Sequence, residues 1–123
     1  MKLWKASTAD TKFSELVRKR DGKCVRCGKK ITLQCSHYWS RKHWATRFNL
    51  DNGDTLCYPC HYGNQKGWEY DLQGEYQDYM IKKLGQEGYD NLKALHYKNV
   101  KKADAIREFQ EHYEVLTYLF VEK

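Results

Sequence analysis

The sequence predicts an α+β fold in which a small core of short strands lies between N-terminal and C-terminal helices. Three observations predict it. Apolar residues recur at helical spacing near both ends of the chain. The middle stretch, Lys23 to Lys66, is instead dense in Cys, His, Gly and Asn, with short apolar runs. Two Cys-x-x-Cys pairs, Cys24/Cys27 and Cys57/Cys60, stand inside that stretch. At 123 residues the chain reads as a single domain, 1–123. That length supports one modest core and gains from a metal staple.

Taken in order, the first element is a helix over about 7–22. Ser7 or Thr8 can cap it, Phe13, Leu16 and Val17 form its apolar face, and Asp21-Gly22 ends it after Arg20. The stretch 23–66 follows, where Ile31-Thr32-Leu33 reads as a strand. From Gly67 to the end, 67–123, the pattern turns helical. Tyr76, Tyr79, Met80 and Leu84 share a face, Gly85-Gln86-Glu87-Gly88 breaks it, and Leu92, Leu95 and His96 resume it. A last helix carries Ile106, Phe109, Tyr113, Leu116 and Phe120. These aromatic helices read as core, with Tyr113, Tyr118 and Phe120 offering a seam for a homodimer.

Each Cys-x-x-Cys is a tight turn that presents two thiolates to one ion, and together Cys24, Cys27, Cys57 and Cys60 make a Cys₄ set. Four thiolates in closed tetrahedral coordination favour Zn²⁺ in a structural role. The opening MKLWKASTAD has no apolar segment after its basic residues, and no run approaches the roughly 20 apolar residues of a membrane span. The expectation is a cytoplasmic, intracellular chain with no membrane role. Thiols stay reduced there, so ligation outcompetes disulfides. A redox Cys-x-x-Cys is the competing reading, but one redox motif does not need two pairs. Cys35, left over, reads as a small buried hydrophobe. The 29 residues between Cys27 and Cys57 exceed the loop of a simple zinc ribbon, so something is inserted there.

Charge points to a polyanion. Residues 1–66 carry 14 Lys/Arg against 5 Asp/Glu, a balance of +9, while residues 67–123 carry 8 against 11, a balance of −3. The half that holds the cysteines is the half suited to meet phosphates.

Inside the insertion stand His37, Asn52 and His61, with Asn52 fifteen positions after His37 and His61 nine after Asn52. This order and spacing resemble the HNH (ββα-metal) endonucleases. In residues 52–61, NGDTLCYPCH, the His directly follows the last cysteine, as in that family's register. The resemblance implies a ββα-metal core in which His37 is the general base, Asn52 braces the hairpin loop through its amide, and His61 ligates a catalytic divalent ion. A closer similarity spans about residues 23–99 and is to the phage NinG (Rap) recombination endonucleases. It rests on Leu33-Gln34-Cys35-Ser36-His37-Tyr38, Arg47-Phe48, Asn52, Leu56-Cys57-Tyr58-Pro59-Cys60, Gly67 and Tyr70. That resemblance implies DNA as partner, branched recombination intermediates as substrates, and the host cell cytoplasm as location. Two positions depart from the patterns. Ser36 stands where many HNH enzymes carry an Asp or His ligand, and His61 stands where NinG-like chains carry Asn. Asp51 or Asp54 could complete the ion's shell.

The implied chemistry is hydrolysis of a phosphodiester, in which a neutral imidazole takes a proton from water beside a charge-neutralising cation. Mg²⁺ or Mn²⁺ suits an oxygen-rich site of that kind. With an ordinary imidazole the rate would fall as the pH drops through about 6–7. The run Tyr38, Trp39, Arg41, Lys42, His43, Trp44, Arg47 mixes cations with aromatic rings. Arg41, Lys42 and Arg47 read as phosphate contacts, with Lys66 beside them, and Trp39, Trp44 and Phe48 read as core. Tyr38 could stack on an exposed base, and His43 is the reserve metal ligand or base. Three other functions compete: a non-catalytic zinc module that binds DNA, a site-specific homing or restriction HNH nuclease, and a zinc-stapled interaction protein. Metal-dependent nicking of DNA separates the first from an enzyme, and salt-sensitive DNA affinity separates the last.

Overall fold

The computed structural model describes residues 2–63, 66–71 and 74–122, with side chains described as far as Phe120. It is an α+β fold with one two-stranded antiparallel sheet. Helix α1 spans Ala6–Asp21 and is followed by the first cysteine turn. Strand β1, Leu33–His37, and strand β2, Gly53–Cys57, pair in a register that sets His37 opposite Gly53 and Leu33 opposite Cys57. The connection between them holds a short helix α2, Trp44–Arg47, and a 3₁₀ turn, Leu50–Asn52. Helix α3, Tyr58–His61, follows β2 without a break. Two long helices complete the chain, α4 over Glu75–His96 and α5 over Lys102–Thr117, with a π-helical turn at Tyr118–Glu122. No helix among the described residues is long and apolar enough to cross a membrane.

Helix α1 lies on the hairpin because its apolar residues, Ala9, Phe13, Leu16 and Val17, fall on one stripe and are all buried. Ile106 and Phe109 of α5 close that cluster from the other side, and Phe48 stacks on Phe109 with ring centroids 5.2 Å apart. The end of α1 is stitched to the sheet by polar bonds. Arg20 donates to the carbonyls of Leu50 (2.8 Å) and Gly53 (2.7 Å), and Asp21 accepts from the Thr55 amide at 2.9 Å. A second cluster fills the opposite side of the hairpin, with Leu56, Trp68, Tyr76, Met80 and Leu92 around Cys24 and Cys57. Strand β2 is therefore buried along its whole length.

Three local expectations are corrected. Helix α1 begins at Ala6 after Lys5, with no side-chain cap, so Ser7 and Thr8 lie within its first turn. The strand starts at Leu33, because Thr32 has a left-handed backbone (φ 52°) and Ile31 is 67% exposed. The turn at Thr32 gives its hydroxyl to the sheet's far end, where it accepts from the Tyr58 amide at 3.3 Å. The break in the C-terminal half is confined to Gly85 (φ 77°, ψ 161°), while Gln86, Glu87 and Gly88 remain helical. One residue without a Cβ suffices to kink α4 and redirect Tyr89, Leu92 and His96.

Candidate functional site

Two chemically distinct sites lie along the hairpin. The first is the cysteine cluster. Cys24 and Cys27 come from the turn after α1, Cys57 ends β2, and Cys60 belongs to α3. The four sulfurs lie within 4.8 Å of one another, and all five cysteines of the chain are free thiols. Backbone bonds shape the first turn: the Gly28 amide donates to the Cys24 carbonyl at 2.9 Å, and Val25 is tied to Thr55 of β2 at 2.9 Å.

Burial pushes the Cys24 thiol up, but amides from Cys57, Cys27 and Arg26 outweigh it and bring it down to about 7. Cys57 and Cys60 are pushed up chiefly by burial; neighbouring cysteines add to this at Cys60, while at Cys57 bonds from Cys60 oppose it. Sulfurs this close ionise together only around a cation, so the donor set fits a structural zinc, which these four cysteines could hold. Cys35 stands apart from the set, its thiol pushed up to about 12, chiefly by burial. It is chemically quiet.

The second site is an open cavity of about 730 Å³, and both His37 and His61 line it. His37 ends β1, where its ring stacks on Phe13 of α1 with centroids 5.2 Å apart. Its Nε2 lies 3.0 Å from the Arg47 carbonyl, which can only accept, so Nε2 carries the hydrogen and Nδ1 keeps a lone pair. Burial pushes the imidazole pKa down to about 4; the bond to Arg47 opposes this and the Arg41 charge reinforces it.

His61 lies on α3 and is 5% exposed. Its Nδ1 meets Gln34 Oε1 at 2.8 Å and its Nε2 stands 3.5 Å from Glu69 Oε2. Burial lowers its pKa to about 4 as well. At neutral pH both rings are uncharged.

Asn52 is fully buried and holds the loop between the strands. Its Oδ1 accepts from the Trp39 amide (2.8 Å), and its Nδ2 donates to the carbonyls of Trp39 (2.9 Å) and Thr46 (3.2 Å). Its own carbonyl accepts from the Tyr38 amide at 2.9 Å, next to His37. Tyr38 lines the cavity with its hydroxyl 2.7 Å from that of Tyr89.

Several neighbours named by the sequence lie outside the cavity lining. Ser36 is fully buried and accepts from the Tyr76 hydroxyl at 3.2 Å. Asp54 is buried against Lys83 (2.7 Å) and Tyr76 (2.9 Å), and Asp51 is exposed beyond the hairpin's end. His43 precedes α2 and packs edge-on against His96, 4.8 Å between ring centroids.

The family model described as bacteriophage lambda NinG protein matches residues 2–120 of this chain. The chain belongs to the NinG family. Comparisons with curated proteins and with solved structures found no match. Because the NinG match covers α1, α4 and α5 as well as the cysteine-bounded core, the flanking helices belong to the family unit too.

The cations of this NinG chain divide by what they touch. Arg47 is enclosed: it grips Asp10 through Nε (3.0 Å) and Nη2 (2.6 Å), donates to the Arg41 carbonyl at 3.1 Å, and stacks on Trp44 at 4.2 Å. Arg41 has a 60% exposed side chain and only a 3.5 Å contact to Asp10. Lys42 and Lys66 are exposed. Tyr113, named for a dimer seam, packs on Trp4 and Phe109 inside the first cluster, while Tyr118 is 61% exposed.

Glu69 was missed by sequence reasoning. Its place is set by Gly67, two positions earlier, where an added Cβ would lie against the His61 carbonyl closer than any real contact. Only glycine lets the returning chain approach there.

Proposed function

We propose that this NinG-family chain is a metal-dependent DNA endonuclease of the HNH type, with His37 as general base and branched recombination intermediates among its substrates. The carrying observation is that two uncharged imidazoles, each with one nitrogen fixed by an acceptor, line one open cavity. Membership in a phage family suggests a recombination-related role and supports that choice of substrate. Strand β1, strand β2 and α3 follow in the order the ββα-metal reading requires.

In this reading His37 Nδ1 takes a proton from water as the water oxygen bonds to phosphorus. The ester P–O bond breaks, and the leaving oxygen acquires a proton from solvent. The Arg47 carbonyl fixes the tautomer that leaves Nδ1 free, and Phe13 fixes the ring plane. Asn52 keeps the Tyr38–Trp39 backbone, and with it the end of β1, in place. His61 would hold the divalent ion through Nε2, and Mg²⁺ or Mn²⁺ bound there would neutralise charge developing on the phosphate oxygens. Arg41, Lys42 and Lys66 are the exposed cations available to the phosphate backbone, and Arg47 holds the Arg41 main chain rather than the DNA.

The test is a cleavage assay on linear, nicked, flapped and four-way DNA with Mg²⁺ or Mn²⁺. Metal-dependent cleavage, fastest on branched substrates, is expected. DNA binding without cleavage under every condition would leave a zinc-stapled binding module instead.

A further inference from the structure

The divalent ion in the reading above has one nitrogen ligand, and a hard cation held by a single neutral imidazole is poorly held. We propose that Glu69 is its anionic ligand, so that Glu69 Oε2 and His61 Nε2 grip one divalent cation in the cavity shared with His37. The proposal rests on the proposed role of His61.

Hydrogen-bond logic supplies the first argument. Gln34 Oε1 can only accept, so Nδ1 of His61 carries the hydrogen it accepts, and Nε2 is the ring nitrogen left to bind a cation. That nitrogen faces Glu69 Oε2 at 3.5 Å. An imidazole nitrogen and a carboxylate oxygen so placed are a donor pair that one divalent cation can bridge. Neighbouring ligands of a six-coordinate ion with bonds of about 2.1 Å stand about 3 Å apart. A shift of about half an ångström in the half-exposed Glu69 side chain closes the pair onto such an ion.

The second argument is that the backbone builds this pairing. The Trp68 amide donates to the Cys60 carbonyl at 2.6 Å and the Glu69 amide to the His61 carbonyl at 3.0 Å. Gly67 permits the approach, as only a residue without a Cβ fits against His61. Glu69 is thus held beside His61 by the main chain, and its position does not depend on a surface ion pair.

Elimination supplies the third. Among the described residues two other carboxylates line the cavity, and both are engaged. Asp10 is held by Arg47 at 2.6 Å, and Asp71 caps α4 by accepting from the Tyr76 amide at 2.7 Å. Ser36, next to His37, is buried against Tyr76. Among the described lining residues Glu69 is the carboxylate whose recorded side-chain partner is an imidazole.

The experiment uses the zinc-loaded full chain and titrates Mn²⁺, read by electron paramagnetic resonance, for wild type, Glu69→Gln, Glu69→Ala and His61→Ala. Thermal melts without added Mn²⁺ run alongside. All three variants are expected to weaken Mn²⁺ binding by about tenfold or more. Glu69→Gln should also melt no lower than wild type, because its amide can donate to Nε2 where the carboxylate cannot. Unchanged Mn²⁺ affinity with a lowered melting temperature in Glu69→Gln would identify a plain His–Glu hydrogen bond and overturn the proposal. Wild-type protein that binds no Mn²⁺ would also overturn it. If Mn²⁺ binding needs His61 but not Glu69 and DNA is still cleaved, the ligand assignment falls and the nuclease stands. If Mn²⁺ binding needs Glu69 but no DNA is cleaved, the metal site stands and the nuclease falls.

Discussion

The cysteine cluster and the histidine cavity share α3, through Cys60 and His61, yet they are assembled in opposite ways. The four cysteines come from two short Cys-x-x-Cys segments, and every ligand is carried by a motif visible as letters. The cavity draws Asp10 from α1, Gln34 and His37 from β1, His61 from α3 and Glu69 from the segment returning under α3. A closed thiolate set needs only four sulfurs at one point, whereas a site for chemistry needs each group to be oriented, and orientation is supplied by distant neighbours.

The strongest way to break that contrast is to remove one thiolate. Serine at Cys24, Cys27, Cys57 or Cys60 should abolish stoichiometric zinc and unfold the chain, since a structural zinc contributes about 10–16 kcal/mol of binding energy to folding. Elemental analysis together with circular dichroism checks this, and folded, zinc-free wild-type protein would refute it. Cys35→Ser should leave both readouts nearly unchanged.

Removing the base comes next. His37→Ala should keep zinc, fold and bind DNA while cleaving about 10²–10⁴-fold more slowly, the usual cost of losing a positioned base. Single-turnover cleavage at saturating enzyme measures it, and full activity in a folded, zinc-bound His37→Ala protein would end the assignment.

A smaller effect sharpens the role of distant neighbours. With the His37 pKa lowered to about 4, its base form persists well below the 6–7 that an ordinary imidazole would give. Cleavage should hold from neutral pH to about 5 and fall through about 4. Stability follows the same group. The unfolded ring, near 6.5, takes its proton first, so the contribution to stability is complete above about 6.5 and is lost as the pH falls through about 4. Phe13→Leu should uncover the ring and move the acid limb of the rate profile upward, and a profile identical to wild type would show that Phe13 does not set it.

The smallest effects belong to the exposed cations. Arg41→Ala and Lys42→Ala should each weaken DNA binding without sequence preference and reduce the slope of log K against log salt by about 1. Binding isotherms at several salt concentrations check this. An unchanged slope would place the phosphates elsewhere.

The contrast also explains what could be read from the letters. Helices α1, α4 and α5 followed from apolar spacing because each buries one stripe, α1 and α4 against the hairpin and α5 against α1. The cysteine set followed from its spacing. The boundaries were less legible: Thr32 adopts a left-handed turn that propensity disfavours, and α1 begins without a cap. Arg47 read as a surface cation because nothing in its neighbourhood reveals Asp10, 37 positions away. Glu69 was illegible for the same reason. Its place depends on Gly67 admitting the backbone to the end of α3, a contact that exists only once the chain has folded.

Phe13 lies against His37 across from Gly53, where a side chain would collide with the Phe13 ring. This contact limits how the protein can be cut or transplanted. A fragment of residues 23–66 would carry every cysteine and both cavity histidines, yet it would leave behind the helix that shields one imidazole and the carboxylate that anchors Arg47. Grafted onto another scaffold, such a fragment would keep its staple and lose the tuning of its base. The unit that can be inherited or exchanged intact therefore includes α1.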